Sequence, residues 1–150
     1  MELADRFAVN AAPGDVWRLL WDLPRVAQCL PGCEGIEMID EEHYRARMHQ
    51  KVGMFSVSIP LDLEIAGVEL GKRVELKGGG KDRMGNTLRV SNLTMELNNI
   101  SDSETEISYL MDFALYGKLA TLGNSMVKRK AEEMRLEFTR RIRVQLEDHN

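Results

Sequence analysis

Two cysteines four positions apart are the strongest candidates for metal chemistry in this sequence. Cys29 and Cys33 flank a Leu-Pro-Gly segment of the kind that reverses the chain. Thiolates at this spacing can bind zinc, but a closed zinc site needs four ligands. The three histidines, His43, His49 and His149, form no second cluster. We therefore predict two buried thiols in a helix-to-strand turn, with no metal site and no other cofactor.

Side chains suited to nucleophilic or acid–base catalysis are equally scarce. The sequence has no Gly-x-Ser-x-Gly motif, and neither cysteine has a neighbouring base. Gln50 and Tyr109 lie in otherwise apolar strands, where a buried polar group normally has a hydrogen-bond partner. The run of glycines at residues 78–80 opens no helix and lacks a Walker-type lysine, so we interpret it as a hairpin end. The sequence thus predicts no catalytic residues.

The composition is typical of one globular domain over residues 1–150. Apolar residues make up 43% of the chain and charged residues 29%. No apolar run approaches the ~20 residues of a membrane-spanning helix. The N-terminus has acids where a signal peptide has basic residues, so we expect a cytoplasmic protein. A net charge of −4 argues against nucleic-acid binding, although residues 118–150 carry eight basic and five acidic residues.

Most of the chain alternates apolar and polar residues with a period of two, which predicts antiparallel strands with one buried face. Among seven expected strands, the clearest cover residues 2–9, 43–52, 56–65, 73–77, 87–98 and 105–115. In the sixth strand the apolar phase slips between Val90 and Leu93, which predicts a β-bulge. Two short helices follow the first strand. The first begins near Pro13 and the second covers residues 25–30.

A long helix is predicted at the C-terminal end. Apolar residues recur there at three- and four-residue steps from Leu119 to Leu146. The predicted fold class is α+β, with a curved seven-stranded antiparallel sheet, two short helices after strand 1 and a long C-terminal helix across the concave face. Because a rod cannot fill a concave trough completely, we expect an apolar hollow between them. Its predicted walls are Val57, Ile59, Leu61, Tyr109, Met111, Phe113, Leu122, Gly123, Met126 and Met134.

Methionine is frequent on the predicted apolar faces. Five of the nine methionines lie there, namely Met48, Met95, Met111, Met126 and Met134. A flexible thioether suits a wall that adapts to varied apolar ligands, and it also fills irregular cores. Both interpretations stay open.

Several motifs together resemble a known family. The segment Ala-Ala-Pro-Gly-Asp-Val-Trp at residues 11–17 resembles the opening of the START-related (SRPBCC) helix-grip superfamily. The segment Cys-Leu-Pro-Gly-Cys-Glu at residues 29–34 resembles the more specific signature of the carbon monoxide dehydrogenase G-subunit family. Residues 44–46, 51–53 and 105–123 are similar to the later strands and the helix start of that family.

This resemblance implies a helix-grip fold with a hydrophobic cavity. It also implies a role beside a molybdenum hydroxylase of the carbon monoxide dehydrogenase type, in recruitment to the inner face of the membrane or in handling a lipid-like quinone. The implied partners are an apolar small molecule, the hydroxylase and a peripheral membrane contact. We therefore expect a non-enzymatic binding protein. Two alternatives stay open: a cavity enzyme of the cyclase or dehydratase type that uses Tyr109 or Gln50, and an assembly factor that works through its surface.

Overall fold

A seven-stranded antiparallel sheet is the main element of the computed structural model, which describes residues 1–147. The strands are β1 Glu2–Val9, β2 Cys33–Met38, β3 His43–Val52, β4 Phe55–Glu69, β5 Arg73–Lys81, β6 Thr87–Ser101 and β7 Glu104–Tyr116. Their order in the sheet is β1-β7-β6-β5-β4-β3-β2. The helices are α1 Pro13–Trp21, α2 Leu23–Cys29 and α3 Asn124–Glu147. The predicted architecture is confirmed.

The two short helices begin where local capping allows. Pro13 opens α1, in a helical turn whose N–H groups have no partner within the helix. α2 begins at Leu23, two residues earlier than predicted, because Asp22 caps it: the Asp22 Oδ1 accepts a 3.4 Å hydrogen bond from the Arg25 N–H. The buried faces of both helices pack with Phe138 and Ile142 in the main core.

α3 is shorter than the predicted apolar stripe. Residues 117–121 form a 3-10 turn, and α3 begins only at Asn124. Gly123 separates the two with a φ of +85°, a left-handed conformation that favours glycine. At about 1.5 Å per residue the 24 residues of α3 span about 36 Å, which is enough to cross the concave face.

The glycine run at residues 78–80 lies inside β5, so its interpretation as a hairpin end is wrong. Gly78 and Gly79 pair with β4 on one side and with β6 on the other. A Cβ on Gly80 would lie 1.6 Å from the Pro60 carbonyl oxygen, and one on Gly78 would lie 2.0 Å from the Asp62 carbonyl oxygen. The glycines are therefore required where neighbouring backbones approach most closely, and the chain reverses only at the β5–β6 turn.

Register shifts help the sheet to curve around α3. The β6–β7 pairing shifts between Val90 and Asn92, and the β5–β6 pairing shifts at the same place, opposite Leu76 and Gly78. The β-bulge predicted between Val90 and Leu93 is thus confirmed. Such a bulge bends its strand and increases the local twist.

The buried apolar residues form two separate clusters. The larger cluster joins α1, α2 and the C-terminal half of α3 to the sheet, and it contains the most completely buried side chains, such as Leu19, Ile107 and Ile142. The smaller cluster comprises Val57, Ile59 and Leu119. The space between sheet and helix is left partly unfilled, and that space is the candidate site.

Candidate functional site

Two adjoining compartments lie between the sheet and α3. The inner compartment, about 90 Å³, lies against α2, and the outer compartment, about 170 Å³, lies between β4 and the first half of α3. They share seven wall residues, among them Leu61, Leu93, Met111 and Met134, so we treat them as one hollow. A dry apolar cavity of about 150 Å³ can hold benzene, so this hollow has room for a small apolar molecule or part of a larger one.

Eight of the ten predicted wall residues line the hollow: Val57, Ile59, Leu61, Tyr109, Met111, Phe113, Leu122 and Met134. Gly123 and Met126 do not. Gly123 is exposed in the link before α3, and Met126 is 37% exposed, with its Sδ only 2.9 Å from where a Cβ on Gly53 would lie. The prediction assumed one helix from Leu119. A helix that begins at Asn124 instead directs Val127, Ala131 and Met134 towards the hollow.

Much of the inner wall comes from residues that the sequence did not single out. Val26 and Ala27 of α2 and Leu30, the residue after α2, line the inner compartment, together with Tyr44 of β3. α2 has only seven residues, too few for a clear helical period to identify its buried face. Tyr44 lies on the apolar face that the alternation in β3 identifies, so the sequence pattern could have identified it as a wall residue. Four of the five methionines on predicted apolar faces, all except Met126, line the hollow.

The Cys29–Cys33 segment leads the chain from α2 into β2. Gly32 has a φ of +83°, and a Cβ there would lie 2.0 Å from the His49 carbonyl oxygen, so only glycine fits. The Gln50 Nε2 donates a 2.6 Å hydrogen bond to the carbonyl oxygen of Pro31, as expected for a paired core amide. Both thiols are free, and Cys29 is buried as predicted, whereas Cys33 is only half-buried. Burial raises the pKa of each thiol. They are therefore protonated at neutral pH and are weak nucleophiles.

Within residues 1–147, no group of three or more His, Cys, Asp or Glu side chains is placed to hold a metal ion. His43 lies on the exposed face of β3, with its Nδ1 2.8 Å from an Asp40 carboxylate oxygen. This hydrogen bond raises the pKa of His43. His49 is also exposed, and its Nε2 lies 3.5 Å from a Glu34 carboxylate oxygen. His149 lies outside the described residues.

Tyr109 carries the one buried side-chain oxygen without a hydrogen-bond partner among residues 1–147. The expectation of a partner is therefore wrong for this residue. Its ring lines the inner compartment and meets the Phe138 ring edge to face, with centroids 5.2 Å apart. The β1–β7 register places Asp5 opposite Tyr109, but the Asp5 Oδ2 already accepts hydrogen bonds from Arg135 at 3.0 Å and from Thr139 at 2.8 Å. The Asp5 carboxylate opposite Tyr109 thus already accepts hydrogen bonds from two donors of α3.

Tyr109 should stay protonated far into the alkaline range. Burial, together with the Asp5 carboxylate, raises the pKa of Tyr109 from 10.0 to about 12. The folded protein therefore holds this proton more tightly than the unfolded chain does. The resulting stability is fully present below pH 10 and is lost as the pH rises to about 12. The unfolding free energy of the wild type should therefore fall between pH 10 and pH 12. In Y109F, which has no hydroxyl to titrate, we expect this fall to be smaller by about 2 kcal/mol. Urea unfolding of both proteins at neutral pH and between pH 10 and 12 measures the two declines. Equal declines in the wild type and Y109F would contradict the raised pKa of Tyr109.

A curved antiparallel sheet closed over an apolar hollow by a C-terminal helix defines the helix-grip class of folds. Within that class, the sequence matches the family model of the carbon monoxide dehydrogenase G subunit (CoxG) over residues 6–147, and the chain belongs to this family. The family predicted from the sequence motifs is confirmed. A comparison with curated proteins gives no significant match.

Solved structures share the fold over nearly the whole chain. A conserved protein from Geobacillus kaustophilus has a TM-score of 0.83 at 20% identity, covering 95% of this chain and 93% of its own. A START superfamily protein from Mycobacterium smegmatis has a TM-score of 0.73 at 10% identity, covering 99% of both chains. The Zhui aromatase/cyclase from Streptomyces sp. R1128 has a TM-score of 0.61 at 12% identity, covering 100% and 98%. At these identities the similarity establishes the fold alone.

Proposed function

We propose that this chain is a non-enzymatic binding protein that holds a lipid- or quinone-like molecule in the hollow. The observation that carries the proposal is the apolar character of the wall. Besides Tyr109, its polar side chains are turned to other partners: Gln50 is hydrogen-bonded to the Pro31 carbonyl oxygen. Lys130 extends its ammonium group towards Glu133, 3.8 Å away, and only its stem lies along the hollow. Such a wall favours a ligand with a large apolar surface and few polar groups.

The hollow is large enough for useful affinity. Burial of apolar surface contributes about 25 cal/mol per Å², so roughly 300 Å² of ligand surface gives on the order of 7 kcal/mol before the cost of association. The flexible thioethers of Met111 and Met134 lie in the wall that both compartments share, where they can adapt to ligands of different shape.

The family supports a more specific role. Carbon monoxide dehydrogenase is part of the family's name, so we propose that the chain is accessory to a molybdenum hydroxylase of that type. In that role it would handle an apolar electron acceptor or recruit the hydroxylase to the membrane. We place this activity in the cytoplasm, at the inner face of the membrane. No described helix is long and apolar enough to cross a bilayer.

One observation favours a second candidate, a cavity enzyme of the cyclase or dehydratase type. The Tyr109 hydroxyl is buried, has no partner among the described residues and keeps its proton at neutral pH because burial raises its pKa to about 12. Such a group can donate a hydrogen bond to a substrate carbonyl. The aromatase/cyclase with the same fold is an enzyme by name, and at 12% identity it supports only the fold.

Mass spectrometry of apolar compounds extracted from the purified protein tests both candidates. We expect one chemical class of apolar compound, in an amount comparable to the protein, and we expect it to be unchanged after incubation with fresh protein. Conversion of the compound would instead favour the enzyme. The proposed function is contradicted if no such compound is recovered and the fluorescent apolar probe N-phenyl-1-naphthylamine shows no saturable binding.

A further inference from the structure

Two neighbouring hairpins, β4–β5 and β6–β7, project aliphatic side chains into solvent at one end of the strands. Leu70 is 80% exposed, Ile100 is 51% exposed and Val68 is 41% exposed. The Lys72 carbonyl oxygen accepts a 2.9 Å hydrogen bond from the Leu97 N–H, so the two hairpins lie side by side. Exposed apolar groups on adjacent turns indicate an interaction site more often than isolated ones do.

A β-bulge lies in each of these hairpins. The β6–β7 pairing shifts between Asn99 and Ser101, so Ile100 has no partner residue on β7. The β4–β5 pairing shifts between Ile65 and Gly67, shortly before the turn. A bulge re-aims the side chains beside it, and bulges are over-represented next to functional sites. The exposure of the aliphatic residues is therefore a consequence of how the strands pair.

The β2–β3 turn lies at the same end of the sheet, because the hairpins β2–β3, β4–β5 and β6–β7 all turn in the same direction. We call this end the acidic end, and it comprises residues 38–42, 68–73 and 98–104. Met38 is 62% exposed there and Ile39 is 51% exposed. α1 starts at this end, directly after β1, and its Trp21 is 42% exposed and stacks on Trp17 with ring centroids 5.8 Å apart. Met and aromatic side chains are enriched in protein interfaces.

Carboxylates outnumber cations at the acidic end. The carboxylates are Asp40, Glu41, Glu42, Glu69, Asp102 and Glu104, and the cations are Lys72 and Arg73. Arg73 is already engaged, with its Nη2 3.7 Å from a Glu69 oxygen and its Nε 3.3 Å from a Glu75 oxygen. Four of the carboxylates take part in no salt bridge within residues 1–147, namely Glu41, Glu42, Asp102 and Glu104. Their charge is therefore available to a partner.

The opposite end of the strands has the reverse charge. Its turns carry Lys51, Lys81, Arg83 and Lys118 against Asp82. A partner with a charged contact surface therefore distinguishes the two ends of the fold, and a basic partner is attracted to the acidic end.

We propose that the acidic end is the docking surface for a protein whose contact surface is apolar at its centre and basic at its rim. Under the proposed function this protein is the molybdenum hydroxylase, so the identity of the partner rests on that proposal. The aliphatic side chains of the two hairpins fill the apolar centre of the interface. The free carboxylates of the turns pair with Lys and Arg side chains at its rim.

Two other occupants fit this surface less well. Anionic lipid headgroups attract basic residues and repel the carboxylates that surround these aliphatic groups. A second copy of the chain offers its basic end, but a contact between opposite ends of the fold repeats from copy to copy without closing into a defined oligomer. A separate basic protein satisfies both the charge and the apolar groups in one closed contact.

Isothermal titration calorimetry of the full chain with the purified molybdenum hydroxylase of the same organism, as holoenzyme, tests the docking. We expect saturable binding that weakens as NaCl is added. The double variant L70Q/I100Q should raise the Kd at least about tenfold, because it removes two apolar contacts from the centre of the interface. M54Q/M84Q makes the same kind of change at the opposite end, where Met54 is 98% exposed and Met84 is 68% exposed, and should leave the Kd unchanged.

Single charge reversals test the rim of the interface. D102K should raise the Kd about fivefold, because it places a cation against the basic rim of the partner. E133K makes the same change in net charge on the exposed side of α3, so it should alter the Kd less than about twofold. A photo-crosslinking residue in place of Leu70 should capture a hydroxylase subunit, and one in place of Met54 should not. Circular dichroism shows whether each variant is folded.

Wild-type binding that L70Q/I100Q leaves unchanged, or that M54Q/M84Q weakens as much, would overturn the docking surface and leave the accessory role standing. Absence of wild-type binding to the hydroxylase would contradict the accessory role and the docking together. Self-association of the wild type in analytical ultracentrifugation that is lost in L70Q/I100Q would assign the surface to a second copy instead. Binding of N-phenyl-1-naphthylamine, which all these variants should retain, tests the carrier function separately.

Discussion

M134W should weaken the binding of N-phenyl-1-naphthylamine at least about tenfold while the chain stays folded. Met134 projects from α3 into the wall that both compartments share. An indole is bulkier than the thioether, and the space it can enter without disturbing the core is the hollow itself. Ligand and side chain therefore compete for one volume. Fluorescence titration gives the Kd, and circular dichroism with thermal unfolding shows whether the fold is retained.

The chain offers a matched control on the same helix. Met126 lies two turns before Met134, outside the wall, so M126W makes the same chemical change without filling the hollow. Its Kd for the probe should equal that of the wild type. M111W fills the hollow from β7 and provides a second test if M134W folds poorly. Equal effects of M126W and M134W, or normal binding by folded M134W and M111W, would exclude this hollow as the binding site.

The strand part of the hollow is predictable because it depends on local alternation. In a strand, residues two apart share a face. Val57, Ile59 and Leu61 therefore had to face the same side, and all three line the outer compartment. The bulge near Val90 was visible for the same reason, since one extra residue changes the phase of the pattern.

The remaining features depend on contacts that the local sequence does not show. The break at Gly123 moves Met126 out of the wall, yet the apolar stripe continues across it in the sequence. The local sequence also does not show that the Tyr109 hydroxyl is left without a partner among the described residues, or that Arg135 and Thr139 of α3 bond to Asp5, which lies opposite Tyr109. Periodicity reports which face of an element is buried, and it does not report what an opposing element brings to that face.

The glycine run in β5 leads to the second large expected effect: G80A should destabilise the folded chain by on the order of 3–5 kcal/mol. The new Cβ would lie 1.6 Å from the Pro60 carbonyl oxygen, a backbone atom that no side-chain rotation can move. The β4 and β5 backbones would have to separate at this point. Urea unfolding gives the free-energy difference.

G14A is the matched control, because a Cβ on Gly14 would have no atom within 4 Å. Gly14 lies in the first turn of α1, where alanine is the better helix former, so G14A should be neutral or stabilising by up to about 1 kcal/mol. Any folded G80A should also bind N-phenyl-1-naphthylamine more weakly, because Ile59 and Leu88, which lie next to Gly80, line the outer compartment and would shift with the displaced strands. If G80A instead matches the wild type in both stability and probe binding, the close approach of β4 and β5 does not determine the curvature, and the hollow must owe its shape to the bulges alone.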